Sequence, residues 1–259
     1  MKWFLILLGI MAIAAVVVIM RLPASLVPMI LAEVEQRNLL PPESPSLFLT
    51  QTSGTIWQGQ SADSIVEIDG VSVPLGRVSW ELSPLSLLRS EPTLNVASSA
   101  PMQTLSTTLS VDMQGQIIMT ALEGRLPIGA LEPWFPMLIR GDITFVIDHM
   151  IFTANTLHAI EGVLNFEYVD WVGGDYDMPL GSYMAHIYQQ ENQVRVQFDD
   201  FDATLGMDGL MSIEPDGNYT FDAILQPREG LAAEVRESIT WFGKKQVNDS
   251  VLIKTRGHL

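Results

Sequence analysis

The residues able to do chemistry are few and scattered. The four histidines, His149, His158, His186 and His258, form no pair at ligand spacing, and none stands in an H-E-x-x-H arrangement. Carboxylates cluster at Asp175 with Asp177 and at Asp199, Asp200 and Asp202. Paired carboxylates serve glycoside hydrolysis or calcium binding, but these lack the spacing of a calcium loop and read as solvated turns. Serines are plentiful without a G-x-S-x-G elbow, and neither a phosphate loop nor a dinucleotide fingerprint occurs. Cysteine is absent, which excludes disulfides, thiolate metal sites and a cysteine nucleophile. No catalytic, cofactor-binding or metal-ligating residue is therefore assigned, and the chain reads as a protein that is not an enzyme.

The bulk numbers narrow the partners. The 259 residues carry 14 basic and 30 acidic side chains, a formal net charge of −16. Such a surface repels nucleic-acid phosphates at long range, so nucleic acid is not a partner. Mean hydropathy is +0.24, and much of the apolar excess lies in the first twenty residues.

Those residues hold an uncharged run, 3–20, between Lys2 and Arg21. At about 1.5 Å per residue it spans roughly 27 Å, close to the hydrocarbon core of a bilayer. The competing reading is a cleaved signal peptide, but no small-x-small site follows the run. Residues 1–22 are expected to be a cytoplasmic tip and transmembrane anchor. Residues 23–46 are expected to be a short helix and linker, and 47–259 a β domain beyond the membrane.

From Leu47 onward the apolar period is two. Val78, Trp80 and Leu82 alternate with polar residues, as do Ile143, Phe145 and Ile147, and then Ile160, Gly162, Leu164, Phe166 and Tyr168. Asp69-Gly70, Gln114-Gly115 and the 214–217 stretch mark turns. Helical patterns are short: 24–40, a proline-rich turn or two in 127–139, and 230–243. The fold class is mostly β: antiparallel sheets, elongated or sandwich-like, about a dozen strands with two or three short helices. The softest internal boundary is Gly173-Gly174-Asp175.

Two stretches remain after this reading. Residues 54–62 run G-T-I-W-Q-G-Q-S-A, and residues 78–88 run V-S-W-E-L-S-P-L-S-L-L. Together they resemble the signature of the type II secretion system protein N family, on Gly54, Thr55, Trp57, Gly59, Trp80, Pro84, Leu87 and Leu88. The Leu22-Pro23-Ala24-Ser25 run is also similar to that family. Arg89 and Ser90 stand where the family often has a glycine. The resemblance implies one inner-membrane span and a periplasmic domain. It implies an accessory role in exporting folded proteins across the outer membrane, with other secretion components as partners and no cofactor. A second likeness, by fold analogy alone, is to β-rich envelope proteins that shield lipid in a trough. The tryptophans are expected in the core, with Gly54 and Gly59 permitting a bulge or close packing beneath the Trp57 ring.

Overall fold

The computed structural model describes residues 17–37, 45–133, 139–153, 156–172 and 177–258. The expected anchor lies outside these residues except for its last turn, 17–20, which is helical. Among the described residues no helix is long and apolar enough to cross a membrane. The Gly173-Gly174-Asp175 boundary also lies outside them. The chain forms two compact units: residues 1–101 with 109–114, and residues 102–108 with 115–259.

The first unit begins with helix α1 (Leu26–Gln36), which buries none of its residues. Strands β1 (Ser46–Gly54), β2 (Gln58–Ile68), β3 (Val71–Leu82) and β4 (Thr93–Ala100) then pair antiparallel in chain order. The β2–β3 turn is closed by Asp69 and Gly70 as the sequence predicts. Both have positive φ, 52° and 76°, the backbone of a two-residue hairpin turn that matches strand twist. Helix α2 (Pro84–Leu88) interrupts the ladder between β3 and β4. The sequence reading does not anticipate it. Strand β5 (Gln103–Val111) has residues in both units.

In the second unit β6 (Ile117–Pro127) is followed by a 3-10 turn (Ile128–Leu131) and by β7 (Ile139–Thr153), β8 (Thr156–Trp171) and β9 (Met178–Gln190). Then come β10 (Gln193–Phe201), β11 (Leu205–Ile213) and β12 (Asn218–Pro227). These strands also pair antiparallel with their chain neighbours. Order is broken once. After helix α3 (Ala233–Ser238) and a 3-10 turn (Ile239–Trp241), strand β13 (Lys244–Lys245) pairs outside β14 (Val251–His258), which itself pairs with β12. In each unit the strands are laid side by side as a meander rather than stacked as a sandwich.

Alternation predicts the buried face where the ladder is regular. Ile143, Phe145 and Ile147 are all buried. It fails at Tyr168, which has φ 53° and is 76% exposed, while Val169 is buried instead. The β8–β9 register shifts between Phe166 and Val169, and this bulge turns the next side chain to the other face. Leu231, Val235 and Ile239 cap the apolar face over Val251, joining Ile128, Phe145 and Leu180 in one core.

Tyr183 donates to the Leu205 carbonyl at 2.9 Å within this unit. Burial pushes its phenol above the usual range; the Asp200 carboxylate adds to the push and Arg228 opposes it. The neutral phenol is thus favoured by the fold, and its contribution is complete below the unfolded value of about 10. It drains away as pH rises toward the higher folded value. Unfolding free energy is expected to fall as pH rises above about 10, with Tyr183→Phe flattening that slope. Denaturant midpoints of both proteins across this range are the check, and equal slopes would refute the assignment.

Candidate functional site

The motif residues assemble around the turn between β1 and β2. Gly54 has φ 95°, and a Cβ there would lie 2.5 Å from the Gln58 carbonyl oxygen, so the position needs glycine. Thr55 closes the turn. Its N–H donates to the Gln58 carbonyl at 2.8 Å, and its hydroxyl accepts from the Gln58 N–H at 3.1 Å. At the end of the motif Ser61 is fully buried. Gln51 has positive φ and breaks the β1–β2 ladder between the Thr50–Asp63 and Thr52–Ser61 pairs. The Ser61 hydroxyl fills the gap, accepting from the Thr50 N–H at 3.0 Å and donating to the Thr50 carbonyl at 2.6 Å. A small hydroxyl side chain thus supplies the partners that the ladder does not give the Thr50 backbone.

Trp80 is buried and Trp57 half-buried. A methyl at Gly59 would overlap the Trp80 ring at Cζ2 and lie 2.8 Å from its Cε2. Gly59 is thus the seat of Trp80 on the neighbouring strand, where the sequence alone suggests packing beneath Trp57. The Trp80 indole donates to the Ile56 carbonyl at 3.2 Å, and the Leu82 N–H donates to the Trp57 carbonyl at 2.6 Å. The two motif blocks, separated in sequence by residues 63–77, form one hydrogen-bonded body.

That body grips the segment that follows the apolar run. Trp57 Nε1 donates to the Ile19 carbonyl at 2.9 Å. The Ile56 N–H donates to the Leu22 carbonyl at 3.0 Å, and the Ala24 N–H to the Gly54 carbonyl at 3.0 Å. Pro23 bridges to Thr55, and Ala24 is 1% exposed. The Leu22-Pro23-Ala24-Ser25 run and the 54–62 block, separate in the sequence, are the two halves of one clamp. Trp57→Phe keeps a ring but removes the indole donor. Amide exchange at Ala24 and Ile56 is expected to rise roughly fivefold, about 1 kcal/mol for one hydrogen bond. Amides of β7 and β8 serve as the unchanged reference; no rise at Ala24 would sink the clamp.

The remaining motif residues lie in α2. Pro84 opens the helix after Ser83, a position where its missing N–H costs nothing. Ser86 turns toward the body, its hydroxyl donating to the Ser83 carbonyl at 2.6 Å and accepting from the Thr93 N–H at 2.9 Å. Leu87 and Leu88 are exposed, as is Leu85.

The chemically suggestive residues of the second unit are dispersed or paired for structure. Asp200 forms a bidentate ion pair with Arg228, at 2.5 and 3.1 Å, and accepts from the Met207 N–H at 2.7 Å. His149 approaches Glu161 at 3.8 Å in solvent. His158 and His258 line a cleft of about 540 Å³ with Gln189, Asn192, Glu214 and Asp216. Among the described residues no group of three histidine or acidic side chains is placed to hold a metal.

Fold and site together define an antiparallel β protein whose N-terminal lead is clamped by a glycine-tryptophan turn. A model of the family described as type II secretion system, protein N, matches residues 45–254, and the chain belongs to that family. It is 23% identical over 214 residues to type II secretion system protein N of Vibrio cholerae serotype O1, covering 78% of this chain and 81% of that protein. To the protein of the same description from Klebsiella pneumoniae it is 25% identical over 217 residues, 76% and 77% of the two chains. No solved structure matches.

Proposed function

We propose that the chain is a non-enzymatic accessory component of the type II secretion machinery. The run 3–20 holds it in the cell inner membrane as a single pass with the N-terminus in the cytoplasm. The lead 23–46 and the β domain 47–259 lie in the periplasm. There the domain supports export of folded proteins across the outer membrane by contact with other secretion components. The observation that carries this reading is the clamp. Backbone bonds from Leu22 and Ala24 to the Ile56–Gly54 turn fix the β body at the end of the apolar run. A protein on a loose tether needs no such joint. Strand β1, terminal in its unit, offers backbone groups along one edge for a partner strand.

Crosslinking in native membranes followed by affinity capture of the full chain is the test. Recovery of other type II secretion components is the expected result. Recovery of lipid or lipid-transport proteins without them would overturn it in favour of a lipid-shielding β trough.

A further inference from the structure

We infer that the protein touches the lipid surface at a second place: helix α2 rests with Leu85 and Leu88 in the interfacial layer of the membrane that the run 3–20 enters. This rests on the reading of that run as an anchor.

The position of α2 follows from a short chain of bonds. Ile19 lies one residue from the end of the apolar run, where a bilayer would give way to headgroups. Its carbonyl accepts from Trp57 Nε1 at 2.9 Å, which puts an indole at the depth where tryptophan is favoured. The Trp57 carbonyl accepts from the Leu82 N–H at 2.6 Å, and α2 begins two residues later. The helix thus opens beside the point at which the chain leaves the membrane.

Its side chains are sorted accordingly. Ser86 is turned inward and bonded on both sides of the loop, so the helix is held to the body of its unit. Leu85 is 68% and Leu88 82% exposed. Large apolar side chains grouped in water on a rigid turn are costly unless something covers them. Met29 and Ile30 of α1, which starts two residues after the clamped Ala24, are exposed as well.

Charge points to lipid rather than to a protein groove. Arg21 follows the apolar run and Arg89 follows Leu88, in a chain with a net charge of −16. Among the described residues neither makes an ion pair. Basic side chains flanking an apolar patch suit the phosphates of an anionic bilayer, with the leucines reaching just below them.

The absence of cysteine allows a direct test with the full chain. Single substitutions Leu88→Cys, Val18→Cys and Ser72→Cys are labelled with an environment-sensitive fluorophore. Each protein is reconstituted into phosphatidylethanolamine–phosphatidylglycerol vesicles containing shallow or deep spin-labelled lipid. Ser72 lies at the far end of β3, ten residues and roughly 33 Å from Leu82, and serves as the aqueous reference. The Leu88 probe is expected to be quenched several-fold more than the Ser72 probe, and more by the shallow label than by the deep one. If Val18 is quenched and Leu88 behaves like Ser72, α2 stands off the bilayer and the proposal falls while the anchor stands. If Val18 is itself unquenched, the anchor reading fails and the second contact fails with it.

Discussion

Replacing Trp80 by alanine is expected to lower the unfolding free energy by about 3–5 kcal/mol, the range for removing a large buried aromatic. The ring is 8% exposed and seated on Gly59 of the neighbouring strand, and its indole N–H is satisfied by the Ile56 carbonyl. Truncation leaves a cavity under β3 and an acceptor without its donor at the base of the clamp. The same contact can be attacked from the other side. Gly59→Ala forces a methyl into the ring and is expected to cost about 1–3 kcal/mol. The two changes should not add. With the indole gone the methyl loses its clash with the ring but still lies 2.8 Å from the Thr55 carbonyl oxygen, so the double variant is expected to be less destabilised than the sum of the two single changes. Denaturant unfolding followed by circular dichroism measures all three. Simple additivity would show that Gly59 and Trp80 do not meet as described.

The second large effect is expected at Asp200. Its side chain is 9% exposed and serves three donors: both terminal nitrogens of Arg228 and the Met207 N–H. Asp200→Ala leaves the Met207 N–H without its acceptor and Arg228 with the Ala203 carbonyl and solvent, and is expected to cost about 2–4 kcal/mol; the value stays below that of a fully buried pair because Arg228 is partly solvated. Asp200→Asn, which keeps an acceptor for Met207, should lose less. Arg228→Met leaves the carboxylate with its backbone donor and should fall between. A cost under about 0.5 kcal/mol for Asp200→Ala would mean that solvent replaces the pair without penalty.

Strand content, the Asp69-Gly70 turn and the apolar faces of β3 and β7 were legible because each is a local property. A period of two and a residue tolerant of positive φ leave marks in a few adjacent letters. The membership of the protein N family was legible for a related reason, since the glycines and tryptophans of the motif sit at fixed short spacings. What the spacing could not disclose is which partner each residue serves. Gly59 stands two places from Trp57 in sequence, yet it makes room for Trp80 across the ladder. The clamp depends on bonds spanning about thirty residues, between carbonyls and amides that carry no side-chain signature. Tyr168 escaped the alternation because a bulge is one extra residue, invisible until the partner strand is placed. Helix α2 also escaped, although Ser83 before Pro84 is a pair found at helix starts. Its five residues are simply too few to show a period.

The interposition of β14 between β12 and β13 has a meaning in time. A meander can zip up strand by strand as the chain is delivered, since each new strand finds its partner waiting. The second unit departs from that at its end. Val251 is fully buried in the same core as Val235 and Ile239, so α3 lacks part of the surface it closes upon until residues 251–258 have arrived. A chain halted just short of them holds a nearly complete ladder with an open apolar flank. Completion of the last strand is therefore the event that turns the unit from a sticky intermediate into a finished surface.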